Sequence, residues 1–223
     1  MEQLNKQEER RAISNNKIKA MGIACYENLP LIESSEEVTL RSIDDICKRA
    51  IACLLSTQIA CDISEKANYE ESKALFSKLL KSYQVDEYLL DKERKLFNGD
   101  YTEQDAIDVT WTYETFWALA WALNLVDDIE VPNSICDCEK AIKLVGDANS
   151  YEDFKNKCSL RDTEEILDML DLYYRYHWAT TEKRINPETE IKDLIPGVVI
   201  ERRRGLEWLI SNIDDWNDIA LHT

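Results

Sequence analysis

The chain has 223 residues, 44% hydrophobic and 32% charged, which is enough apolar material for a substantial core and excludes a disordered chain. Its formal net charge of -17 repels nucleic-acid phosphates and anionic membranes and steers a basic partner towards the surface. With 5 Gly and 4 Pro it lacks the turn formers of a sheet-rich fold, so the composition favours helices.

The first 28 residues read as a peripheral N-terminal element, a polar helix over Asn5 to Met21 with a thin apolar stripe, and a loop follows through Glu27, Asn28, Leu29 and Pro30 and is prolonged by Ser34 to Glu37. Ile43, Ile46, Ala50, Ile51 and Leu54 recur at helical spacing, and Ser42 with Asp45 resembles a capping box that marks the start of that helix. Tyr69 to Tyr83 and Val85 to Phe97 give two more helices, the second stopped by Asn98-Gly99. Thr102 and Asp105 open a central apolar helix over about 103–125, whose run VTWTYETFWALAWALNLV carries one charge, Glu114. That glutamate, three threonines and an asparagine argue against a membrane span and for a buried helix. Short helices follow over Cys136 to Val145 and Tyr151 to Lys157, then a long one over Asp162 to Arg184 that Pro187 stops. A last helix runs from Val198 to Ile213, with Val198-Val199-Ile200 as the one stretch that also reads as strand. No repeat, low-complexity tract or linker interrupts this order. The expectation is an all-α protein, one multi-helix bundle over residues 1–223 packed around the central apolar helix.

Seven cysteines, an odd number without paired C-x-x-C spacing, read as reduced thiols of a cytoplasmic protein, and MEQLNKQEERRAI has no apolar core for a signal peptide. Acidity concentrates between Asp127 and Asp171, where 13 acidic residues meet 5 basic ones. No phosphate-cradling glycine loop or nucleophile elbow is present, and two histidines exclude a His-rich zinc site.

Glu114 is the strongest lead to an internal polar site, because an unpaired buried charge is expensive. Its candidate mates are Arg41, Arg49 and an inward arginine among Arg202, Arg203 and Arg204, and Glu201 precedes those three. On the long helix Asp168, Asp171, Arg175 and Trp178 share a stripe, Asp171 and Arg175 can pair at i, i+4, and His177 lies on the adjoining face. Glu165, Asp168 and Asp171 step along that helix as weak candidate Mg²⁺ ligands. The bland reading of the whole set is a buried ionic network that fixes helix register without any ligand.

The blocks Leu40-Arg41-Ser42, Arg49-Ala50, Trp111-x-x-Glu114 and Trp121-Ala122-Leu123 resemble the bacterial family called domain of unknown function 4272. So do Ile166-Leu167-Asp168, Asp171, Tyr174-Arg175, His177-Trp178-Ala179, Gly197-Val198, Glu201-Arg202, Trp208-Leu209 and Asp215-Trp216. The similarity runs from about Leu29 to the end. Asn217 stands where the family pattern has Asp, and His222-Thr223 where it has Asp-Thr. The resemblance implies a helical domain with Arg41, Arg49, Glu114, Asp168, Asp171, Arg175, His177, Glu201 and Arg202 as its polar signature, and it carries no reaction.

The reading that follows is a non-enzymatic cytoplasmic interaction protein, of immunity type, that binds a basic protein and has no cofactor, nucleic acid or membrane partner. The alternative is a Mg-dependent hydrolase or small-ligand-binding domain built on the polar signature.

Overall fold

A computed structural model describes residues 2–223, with side chains from residue 6 onwards. Among the described residues it contains ten α-helices and two short 3-10 turns and no strand, as composition and periodicity predict. The chain separates into two compact units, each assembled from non-consecutive segments. One comprises the chain up to Arg41, Asp128–Ile135 and Arg161–Thr223; the other comprises Ser42–Asp127 and Cys136–Leu160. The chain therefore passes from one unit to the other four times, and no Gly- or Pro-rich linker marks any crossing.

The first unit is built on α1 (Glu2–Ala20), α9 (Thr163–Ile185) and α10 (Pro196–Ile210), and α9 packs against both of the others. Asp162 caps α9 by accepting from the Glu164 N–H at 2.9 Å, and Glu165 reaches back to the Asp162 N–H at 3.3 Å. Pro196 opens α10 at a position where a missing N–H costs nothing. That start settles Val198-Val199-Ile200 as helix despite its β-branched residues. Ile166, Leu167, Leu170, Tyr173 and Val199 are wholly buried in this core.

The second unit holds α2 (Ile43–Ser64), α3 (Tyr69–Ser82), α4 (Asp91–Asn98), α5 (Glu103–Thr110), α6 (Thr112–Ala122), α7 (Cys138–Gly146) and α8 (Tyr151–Lys155). Helix α2 packs against each of the other six. Ser42 caps it as predicted, accepting from the Asp45 N–H at 3.1 Å. Two predicted helices are divided. Val85 to Phe97 becomes a 3-10 turn at Asp86–Tyr88 followed by α4, because Leu89 is extended and Glu93 takes the Leu90 N–H at 2.8 Å. The central apolar run becomes α5 and α6, separated at Trp111. Thr112 is the physical reason for that break. Its hydroxyl donates to the Val109 carbonyl at 2.6 Å and also meets Thr57 at 2.8 Å, so a side chain competes with the backbone ladder.

Candidate functional site

In the first unit the sequence-singled residues of α9 sort into separate partnerships. Asp168 is largely exposed and is held by Arg10 of α1, whose Nε lies 2.7 Å from Oδ1. The same guanidinium grips Glu164 and donates to the Glu33 carbonyl at 3.2 Å. Arg10 is 4% exposed, so its helix is not the peripheral element that its polar composition predicts. A signal existed: Arg10, Ser14 and Ile18 are spaced by four and all three are buried.

Asp171 and Arg175 form the predicted i, i+4 pair in bidentate form, Nε to Oδ2 at 2.9 Å and Nη2 to Oδ1 at 2.6 Å, both 1% exposed. The remaining nitrogen of that guanidinium, Nη1, is buried and has no hydrogen-bond partner among the described residues. Glu165 pairs instead with Arg161 at 3.7 Å. Each of the three stepped carboxylates is thus engaged by a different arginine. Among the described residues no group of three or more His, Cys, Asp or Glu is arranged to hold a metal ion.

His177 faces α10. Arg203 Nη1 donates to His177 Nδ1 at 2.7 Å, which leaves the imidazole neutral with its proton on Nε2. Burial, and then the charges of Arg203, Arg184 and Arg204, push this histidine down to about 4. Arg203 also grips Glu207 through Nε at 3.2 Å and Nη2 at 3.0 Å, and its guanidinium lies 4.7 Å from the Tyr174 ring centre. Burial raises the Glu207 carboxyl above its ordinary value.

Two of the three consecutive arginines are therefore inward, since Arg202 and Arg203 are both 4% exposed. Arg202 donates to the Tyr173 hydroxyl and to the Ser134 carbonyl, each at 3.3 Å, and Tyr173 in turn donates to the Ile129 carbonyl at 2.5 Å. Glu201 lies 3.4 Å from Arg204. Arg41 stacks on Trp208 at 4.1 Å and donates to the Trp208 and Ile213 carbonyls, so it ties down the chain after α10.

In the second unit Glu114 is 2% exposed, and its Oε1 accepts from the Cys136 N–H at 2.6 Å. A carboxylate on α6 thereby positions the loop that leads into α7. Arg49 of α2 and Glu93 of α4, both 2% exposed, form a buried ion pair, and Arg49 also donates to the Tyr88 carbonyl. Glu93 serves twice, capping the start of α4 at the Leu90 N–H and neutralising Arg49. It lies in a segment whose sequence predicts only a helix, and no spacing rule links two residues 44 apart.

An all-α fold whose interior charges are met by specific carboxylates, guanidiniums and backbone groups is the class of protein these observations define. The model of the family described as "Domain of unknown function (DUF4272)" matches residues 10–219, and the chain belongs to that family. No curated protein and no solved structure matches it. Among the described residues no helix is long and apolar enough to cross a membrane.

Proposed function

We propose that this protein is a non-enzymatic cytoplasmic interaction protein whose acidic surface binds a basic protein, in the manner of an immunity protein that neutralises a toxin. The observation that carries this reading is the charge balance. The first unit has 23 acidic and 14 basic residues and the second 21 and 13, so both share the excess almost equally. The interior guanidiniums are turned inward onto carboxylates, carbonyls and His177, which leaves the surface dominated by acids such as Asp214, 98% exposed. Such a surface gives long-range attraction that ordinary salt screens. The seven thiols are all free, in keeping with a reducing compartment.

The test is a pull-down with the full chain, identification of the bound protein, and titration of the purified pair across a salt series. A basic partner whose affinity falls steeply with salt is the expected result. Recovery of no partner, or of one indifferent to salt, overturns the reading.

A second reading, a small-ligand-binding site, is favoured by one observation: the buried Nη1 of Arg175 that has no partner among the described residues. It predicts that small carboxylates or phosphate raise the melting temperature of the wild type and leave that of Arg175→Met unchanged. Equal response of both proteins removes it. The Mg²⁺ form of this reading draws no such support, because Glu165, Asp168 and Asp171 are each engaged by an arginine.

A further inference from the structure

Three segments of the first unit close round a cavity of about 310 Å³. Met21 and Ile23 come from the turn after α1, Val131 and Asn133 from the 128–135 segment, and Lys192, Asp193 and Leu194 from the loop that leads into α10. Backbone hydrogen bonds tie these segments together. The Ala24 N–H donates to the Glu190 carbonyl at 2.7 Å, and the Ile195 N–H to the Pro132 carbonyl at 2.9 Å. The Tyr176 hydroxyl donates to the Met21 sulfur at 3.4 Å. The cavity is therefore formed before any ligand arrives, and two of its apolar side chains, Ile23 and Leu194, are buried.

The wall at Lys192 carries backbone strain. Lys192 has φ of +50°, and Gly22, at the end of α1, has φ of +73°. A Cβ on Gly22 would lie 2.9 Å from Lys192 Cε, so the glycine leaves room for the lysine stem. Lys66, Gln84 and Asn124 turn left-handed where a helix stops, but Lys192 lies in the turn before α10, where no helix ends. Glu190 holds it there, Oε1 accepting from the Lys192 N–H at 2.9 Å. The Lys192 ammonium reaches Glu190 Oε2 only at 3.6 Å, too long for a hydrogen bond. Among the described residues no group bonds the Asp193 carboxylate or the Asn133 side-chain amide. A cation, an anion and an amide thus border one apolar cavity with donors and acceptors to spare.

We propose that this cavity binds a free α-amino acid with an aliphatic side chain. The ligand carboxylate meets Lys192 and the Asn133 amide, its ammonium meets Asp193, and its side chain lies among Met21, Ile23, Val131 and Leu194. Size and charge select this class. A volume of about 310 Å³ is at the lower end for small-molecule sites and suits one small metabolite. The net charge of -17 disfavours a polyanion such as a nucleotide. Opposite charges on consecutive residues match a ligand whose own two charges sit on one carbon, and the apolar lining removes an aliphatic side chain from water. The site is separate from the acidic-surface reading and stands whether or not a basic partner is found.

The test titrates L-leucine, L-isoleucine and L-valine into the full chain by calorimetry, with the melting temperature as a second readout. At least one should bind saturably and raise the melting temperature. For L-leucine the analogues are 4-methylpentanoate, which lacks the ammonium, and 3-methylbutylamine, which lacks the carboxylate. Each should bind about tenfold or more weakly than the amino acid, because a hydrogen bond between charged groups is worth at least that factor. Asp193→Asn should lose about the same factor for the amino acid, and Val131→Trp should block the cavity. Both variants alter exposed positions, so each should keep the helical circular dichroism of the wild type. Loss of the response in Val131→Trp distinguishes this cavity from the buried Arg175. No response to any of the three amino acids, equal binding of either one-charge analogue, or undiminished binding by either variant would each overturn the proposal.

Discussion

Each unit buries an arginine–carboxylate pair, yet the two pairs are wired differently. In the first unit Asp171 and Arg175 sit one turn apart on α9 and close their bidentate contact within a single helix. In the second, Arg49 and Glu93 come from α2 and α4, and both have additional duties, to the Tyr88 carbonyl and to the Leu90 N–H. A pair within one helix neutralises itself wherever that helix goes. A pair between helices also records which segments lie side by side. The first is therefore replaceable as a unit, and the second is part of the architecture.

The largest effect is expected where one partner of the self-contained pair is removed. Asp171→Asn strands the Arg175 charge in the core and should cost about 3–5 kcal/mol in urea unfolding. The double change Asp171→Leu with Arg175→Met should restore most of that loss, whereas Arg49→Met with Glu93→Leu should restore less, because the Leu90 N–H and Tyr88 carbonyl lose their partners too. Equal recovery in the two double variants would break the comparison.

Next in size is a pH effect confined to the first unit. His177 titrates at about 4 in the folded protein against 6.5 unfolded, so between these values the unfolded chain binds the extra proton. Stability should fall as pH drops from about 6.5 to about 4, by about 3 kcal/mol in all, and this contribution should level off below that. Glu207, raised by burial, works in the opposite sense, so the slope is read as the difference between wild type and His177→Gln. Identical pH profiles for the two proteins would show that Arg203 does not hold the imidazole neutral.

The smallest effects belong to single caps and surface pairs. Ser42→Ala should cost about 1 kcal/mol by freeing the Asp45 N–H at the start of α2. Lys92→Ala, which removes an exposed pair with Asp108, should cost well under 1 kcal/mol in the same denaturation assay.

What could be read from the chain follows the same division. Local rules locate the caps at Ser42 and Thr102, the stop at Gly99, and the Asp171–Arg175 pair, because each involves residues within four positions of one another. Gly99 ends α4 with φ of +83°, the conformation that glycine adopts without penalty. Lys66, Gln84 and Asn124 make the same left-handed turn just after α2, α3 and α6, and of these only asparagine announces it. The break at Trp111 is hidden because a threonine whose hydroxyl turns back onto a carbonyl three residues earlier, as Thr112 does to Val109, reads in sequence like any threonine within a helix. The pairings of Arg10 and Glu93 are hidden for another reason: their partners lie 158 and 44 residues away. Long-range pairing leaves no spacing for a single sequence to display.

The interleaving of the two units also sets a timetable. Helix α1 packs on α9, which begins at Thr163, so α1 leaves the ribosome about 140 residues before its partner exists. At about 5–20 residues per second the wait is roughly 7 to 28 s. Segments Ser42–Asp127 and Cys136–Leu160 precede α9, so the second unit can form during synthesis while the first must wait for Arg161–Thr223. The translation schedule thus gives the nascent chain a stage at which α1 is exposed to chaperones and proteases.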